Sequence, residues 1–476
     1  MEGEAETFWL TRALFQRSMG LLYLVAFLAA LHQFCPLLGE RGLLPVPQFL
    51  KYAKFSQAPS LFFLHYSDRF LRAVACAGIA LSLLAATGLS ERLGTLFSMA
   101  VWTALWVLYL SIVNVGQTFY AFGWESMLLE AGFFTIWFGA AKTASPAAVV
   151  WLLRWMLFRV MFGAGLIKLR GDPCWRDLTC LLYHYETQPI PNPLSWTFHH
   201  MPVWFHKLGV GVNHFVELVV PFGFFAPQPI CAVAGILTIL FHAFLIVSGN
   251  FSWLNYLTII LAFSCFSDCL LSRWLPLPAG ALQPRAPVHE AALWAMVGAV
   301  ALLSVEPIKN LVSRRQMMNY SFNPVHLVNT YGAFGSITRQ RFEIIVEGTR
   351  ETALTPDTRW QEYEFKAKPG SVSRGLPLVA PYHLRLDWLM WFAAMSDIRH
   401  HPWVYRLAEK LLQGDRGMLG LMARNPFPDA PPRFLRMRLY RYRFTSPEER
   451  KATGDWWSRT YVGEYLPPAS LRLTDE

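Results

Sequence analysis

The residues able to do chemistry concentrate between Arg154 and His206. An apolar run carries Arg154 and Arg159, passes through Gly163-Ala164-Gly165 and ends at Lys168. A lysine in that place has two uses. As an anchor, its alkyl stem lies along lipid while the ammonium reaches the interface. As a desolvated amine, it serves as a general base. Gly163 and Gly165 permit close helix approach beside it. Arg154 and Arg159 are five apart, so on a helix they point in different directions. Buried charge requires partners, and Glu125, Glu130 and Glu217 sit in or beside other apolar runs. Pairing of these carboxylates with the arginines across helices is the expected structural polar core; catalytic carboxylates are the alternative. Asn114, Gln117, Asn213 and His214 are expected to add interhelical hydrogen bonds.

A polar loop at about 169–207 follows. It holds His184, Tyr185 and Glu186, then His199, His200 and His206. This is the metal-like cluster of the chain, but its spacing matches no strong zinc signature. Hydrogen bonding within the loop is the reading adopted, and no metal or cofactor is expected. Pro189–Pro191 and Asn192-Pro193 stiffen the loop into a shaped surface. Cys174 and Cys180 flank it and can pair where the loop faces an oxidising compartment. The other five cysteines lie in or beside apolar runs, where small buried thiols are ordinary. No GxSxG elbow, Walker loop or HExxH occurs, and Gly332 and Gly335 do not form a dinucleotide fingerprint. Sequons stand at Asn250 and Asn319, with Asn319 the better acceptor.

The elements that must position these residues follow from composition. Of 476 residues, 54% are hydrophobic and 16% charged, which is too apolar for an ordinary soluble enzyme and fits a polytopic membrane protein. Candidate spans are Ser18–Leu37, Leu71–Leu89, Gly94–Asn114, Trp124–Ala141, Ala147–Lys168, Gly209–Ala226, Pro229–Val247, Trp253–Leu271 and Ala291–Pro307. Some are short, and the loop between the first two suits an interfacial helix near Phe49–Asp68. The first run begins after acidic residues and reads as a retained span, not a cleaved signal. An odd number of spans puts the termini on opposite sides. The positive-inside rule does not orient the chain.

After Pro307 the periodicity changes. Arg341–Glu347, Trp360–Lys366 and the basic Phe434–Thr445 read as strands. Leu386–Met395 and His401–Gln413 read as helices. Residues 305–476 hold 25 Lys/Arg against 18 Asp/Glu, a basic surplus of seven. The expected fold is a mainly α polytopic bundle (1–307) followed by a basic α+β extramembrane tail (308–476). Trp388, Trp391 and Trp403 are expected to be exposed there and, with Arg438 and Arg441, to meet a partner protein or acidic headgroups. No nucleic-acid reading module appears.

Stretches spread nearly end to end resemble the lipase maturation factor family. They are FWLTR (8–12), GERGLLP (39–45), NVGQTFYAFGWESMLLEAGF (114–133), FRVMFGAGLIKLRGDPCWRDLTCLLYHYETQPIPNP (158–193), VSGNFSWLN (247–255), NTYGAFGSI (329–337), YHLRLDWLMWFAAM (382–395) and YRYRF (440–444). The resemblance implies a multi-pass protein of the endoplasmic reticulum membrane. It implies that the protein helps secreted dimeric lipases to fold and assemble, with the tail facing lumen and client. Cys174 and Cys180 match family cysteines, which implies a redox reading. The short N-terminus and first loop also suit a bacterial relative, whose membrane would be the plasma membrane. A fainter similarity links GAGLIKL (163–169) to vitamin K-dependent γ-glutamyl carboxylases. It implies an alternative in which Lys168 is the base of a membrane enzyme. The primary reading is a non-enzymatic, membrane-anchored assembly factor whose partners are a secreted lipase client and membrane lipid.

Overall fold

The computed structural model describes residues 7–273, 275 and 282–471. Seven of its helices are long and apolar enough to cross a membrane. They begin with α1 (Trp9–Leu38), α2 (Asp68–Ala86) and α3 (Thr95–Asn114). Two shorter helices, α4 (Gly123–Ile136) and α7 (Leu254–Ala262), lie among them. Between these run α5 (Ala147–Arg170), the helical run Val203–Phe225 and α6 (Ile230–Ser248). Pro287–Val312 closes the bundle. The chain is an integral membrane protein. The interfacial expectation between α1 and α2 is met only by a four-residue turn at Val46–Phe49 and a 3-10 turn at Leu61–Phe63.

Two expected spans, Trp124–Ala141 and Trp253–Leu271, are shorter as helices. The physical reason is visible in the contacts. At about 1.5 Å per residue a 14-residue helix spans only about 21 Å, less than the hydrocarbon core of about 30 Å. Non-helical backbone inside a bundle must find donors within the protein. Behind α4, Arg12 donates to the carbonyls of Ala141 and Thr143, each at 2.8 Å. Behind α7, Arg154 Nε donates to Ser264 O at 2.9 Å, Gln228 to Cys265 O at 2.7 Å and Thr11 to Phe266 O at 2.6 Å. The start of α1 is tied to the same face, because Trp9 N and Leu10 N both donate to Asp268 at 2.7 Å.

The opposite face carries the tail. Its main sheet has strand order β2-β1-β5-β6, all antiparallel. The strands are β1 (Arg341–Thr349), β2 (Gln361–Glu362), β5 (Phe434–Phe444) and β6 (Trp457–Ala469). β1 and β5 pair in unbroken register from Arg341 opposite Tyr442 to Thr349 opposite Phe434. The expected strand Trp360–Lys366 is two short ones. β2 joins β1, while β3 (Glu364–Phe365) leaves to pair with β4 (Met422–Arg424). Helix α8 (Arg385–Ala394) packs on β1, and α9 (Trp403–Leu412) buries Trp403, Val404, Leu407, Ala408 and Leu411 along one stripe.

Candidate functional site: the polar junction between bundle and tail

Three ion pairs hold the membrane-side half of the junction. Arg159 and Glu130 form a fully buried pair between α5 and α4. Arg159 also donates to Asn329 O at 2.6 Å, and Glu130 accepts from Asn329 N at 2.9 Å and Tyr331 OH at 2.7 Å. This pair brings in residues 329–331, which lie after the last span. Expected Arg–Glu pairing across helices is therefore found here, with a tail segment added.

Glu125 does not pair with Arg154 or Arg159. Its partner is Arg385 at 2.7 Å, at the start of α8 in the tail, and Tyr109 OH donates to it as well. Arg385 further donates to Phe119 O at 2.8 Å and lies 3.4 Å over the Tyr120 ring. Arg154 cannot reach Glu125, because it sits at the far end of the bundle on the Ser264 carbonyl and against Phe8 and Trp151. Among the described residues Arg154 has no carboxylate partner.

Lys168 is 5% exposed, so it does not snorkel. Its ammonium donates to Glu217 at 2.5 Å and Asn213 at 2.9 Å, and Asn213 donates in turn to the second oxygen of Glu217 at 2.9 Å. Trp175 covers it with its ring 4.9 Å away. The amine donates inside a closed triad with Asn213 and Glu217. The close approach expected at the glycines holds: a Cβ on Gly165 would sit 2.6 Å from Leu218, and one on Gly163 would meet the Tyr331 carbonyl.

The loop after Lys168 forms the other half. Cys174 and Cys180 are joined by a disulfide, Cα–Cα 4.8 Å. Asp172 caps the turn through Cys174 N at 3.0 Å and is held by Arg339 of the tail at 2.7 Å. Those bonds pull its carboxyl down to about 2. His184, Tyr185 and Glu186 face three different ways. His184 stacks on Phe251, and burial together with the nearby Lys168 charge lowers it to about 4. Tyr185 is buried against Phe198. Glu186 accepts from Phe444 N of β5 at 2.7 Å and stands 3.7 Å from His199; burial raises its carboxyl. His199 is lowered to about 4 by burial. His200 and His206 bond to backbone carbonyls of their own turns.

Further residues, most of them not singled out by the sequence, complete the joint. Arg341 donates to the carbonyls of Glu186 at 3.0 Å, Gln188 at 2.5 Å and Pro189 at 3.0 Å, while Glu343 pairs with it at 2.5 Å. Lys368 holds the other oxygen of Glu343 at 2.9 Å. Asn250 is a two-sided clamp. Its amide donates to Pro377 O at 2.9 Å, and its carbonyl accepts from Val379 N at 2.8 Å and Ala380 N at 3.1 Å. At 2% exposure it is closed to glycosylation. Asn319 is exposed. Gln33 of α1 donates to His383 O at 2.7 Å and accepts from Arg385 N at 2.9 Å.

The expected exposed tryptophans are not a surface. Trp388 packs on Trp124 with centroids 5.0 Å apart, and Trp403 packs on Phe119 at 5.5 Å. Both are buried, because apolar rings at the joint gain more by sealing it than by facing water. Trp391 is half-buried and donates to Thr187 O at 3.2 Å. Arg438 pairs with Glu464 at 3.3 Å, and Arg441 is exposed.

A helical bundle with seven spanning helices, bolted through buried ions to an antiparallel-sheet tail, defines a polytopic membrane protein with one docked extramembrane domain. Two family models match it: "Lipase maturation factor transmembrane domain" over residues 10–273 and "Lipase maturation factor C-terminal domain" over residues 327–467. The chain belongs to the lipase maturation factor family. It is 45% identical to lipase maturation factor 1 of Bos taurus over 98% of this chain and 90% of that one. The human form of factor 1 is also 45% identical, with 98% and 88% covered. Human lipase maturation factor 2 is 29% identical, with 97% and 83% covered. No solved structure matches the chain.

Proposed function

We propose that this protein is a membrane-anchored factor for the folding and assembly of a secreted lipase. The observation that carries the reading is the 45% identity, over nearly the whole of both chains, to proteins named lipase maturation factor 1. In this reading residues 1–307 anchor the protein and residues 308–476, with the loop at 169–207, present the client-facing surface. The disulfide at Cys174–Cys180 lies on the tail face, and disulfides persist in oxidising compartments. That supports a tail in the endoplasmic reticulum lumen and an N-terminus in the cytosol. A factor that binds native-like lipase better than its aggregation-prone form raises the native population by mass action. The test is expression of a dimeric secreted lipase in cells whose own maturation factor is deleted. Restored lipase activity in the medium is expected; inactive lipase despite normal levels of this protein overturns the reading.

A further inference from the structure

We infer that the tail-side end of α1 carries a binding site for the headgroup of a phospholipid bearing a primary amine. A cavity of about 270 Å³ lies between α1 and the tail, lined by His32 and Gln33 from the helix and Lys366, Tyr382 and Asp387 from the tail. At about 30 Å³ per water it has room for roughly nine waters. That suits a headgroup and excludes a whole lipid.

The lining carries charges of both signs, with Asp387 near Lys368 and Arg374 and with Lys366 on the rim. Asp387 is 1% exposed. Its Oδ1 accepts from Ala367 N at 2.6 Å and Lys368 N at 3.0 Å, and among the described residues its Oδ2 accepts nothing. That oxygen faces the cavity, where a ligand N–H can meet it. Lys366 Nζ and the His32 ring likewise have no hydrogen-bond or ionic partner among the described residues. A buried anion with a cation and an imidazole across one small cavity matches an ammonium separated from a phosphate. Oδ2 accepts from an N–H, which a primary amine offers and a quaternary one lacks.

Depth places the ligand in the membrane. Arg17, Leu21 and His32 are exposed on one stripe of α1, the spacing of one helix face. His32 lies about 13 Å from the helix midpoint at about 1.5 Å per residue. The hydrocarbon half-thickness is about 15 Å. The mouth beside His32 therefore opens near the boundary between hydrocarbon and headgroups.

The test uses purified full-length protein in detergent with dioctanoyl phosphatidylethanolamine, dioctanoyl phosphatidylglycerol and free O-phosphoethanolamine as probes. Binding is read by titration calorimetry and by melting shift. The ethanolamine lipid is expected to bind about tenfold tighter than the glycerol lipid, the scale of one charge-assisted hydrogen bond. Lys366→Glu, an exposed change, is expected to weaken it about tenfold with the ligand-free melting temperature unchanged. Asp387→Asn, which keeps the acceptor for both backbone amides, is expected to erase the preference between the two lipids. Equal binding of the two lipids by the unmodified protein overturns the inference, as does an unaffected Lys366→Glu variant. Free O-phosphoethanolamine binding as well as the lipid assigns the cavity to a soluble solute and overturns it too. If Asp387→Asn does not fold, lipid selectivity and Lys366→Glu decide.

Discussion

At the scale of single residues, the buried arginines share one role, which is to donate to main-chain carbonyls of segments far along the chain. Arg12, Arg154, Arg159, Arg341 and Arg385 each donate to at least one main-chain oxygen more than 100 residues away. A guanidinium suits this work, since it offers five donors in a fixed fork. In lipid such carbonyls have no water to turn to. The ion pairs are secondary, closing the remaining charge. Removing one partner of a buried pair costs about 3–5 kcal/mol, because the other charge is stranded. Arg385→Met is therefore expected to lower the melting temperature sharply and expose the tail to protease. Adding Glu125→Gln is expected to recover part of the loss, since the stranded carboxylate goes. Lys168→Met follows the same rule: lost stability, with partial recovery on adding Glu217→Gln. A Lys168→Met protein of full stability that fails only to mature lipase would instead point to a chemical role for the amine.

At the scale of elements, the loop at 169–207 is held by two kinds of bond that respond differently to pH. His184 and His199 have folded values near 4, below the usual 6.5, because burial disfavours their charged forms. Groups with depressed folded values contribute stability that is present above the unfolded value and lost as pH falls towards the folded one. Asp172, held at about 2 by Arg339, keeps its contribution until much lower pH, losing it between its ordinary 3.8 and about 2. Melting temperature is thus expected to fall between pH 6.5 and 4 while the Asp172–Arg339 tie stays intact. His184→Gln should flatten part of that slope; a slope equal to that of the unmodified protein would reject the assignment. The elements themselves were legible to different degrees. Long apolar runs revealed the spans, and alternation revealed β1 and β5. The strand Trp457–Ala469 went unread because its burial does not alternate cleanly and it holds Gly463, Pro467 and Pro468. The ends of α4 and α7 went unread because their apolar runs continue past the helices, whose breaks are covered by arginines distant in sequence. Arg341 and Arg385 were invisible as bolts for the same reason: their partners are about 150 and 260 residues away.

At the scale of the whole molecule, the two ends of the bundle are chemically unlike. The far face joins the start of α1 to Asp268 and to Ala141 and Thr143. The tail face gathers the disulfide, the histidine loop, Asn250 and the sheet. Burial of Trp388 and Trp403 in the joint means that the tail rides with the bundle as a docked body, not a tethered one. A client would then meet a surface fixed in height above the membrane, which favours recognition by a preorganised face over capture by a flexible arm. Two consequences follow together. In sealed microsomes, protease added outside is expected to remove an N-terminal epitope and spare a C-terminal one. Breaking the Asn250 clamp with Asn250→Ala should release the tail from the loop, exposing the Pro377–Ala380 segment to protease once the vesicles are opened while leaving the spans inserted. A C-terminal epitope cut in sealed vesicles would reverse the orientation. An unchanged cleavage pattern in Asn250→Ala would show that the arginine bolts alone hold the tail in place.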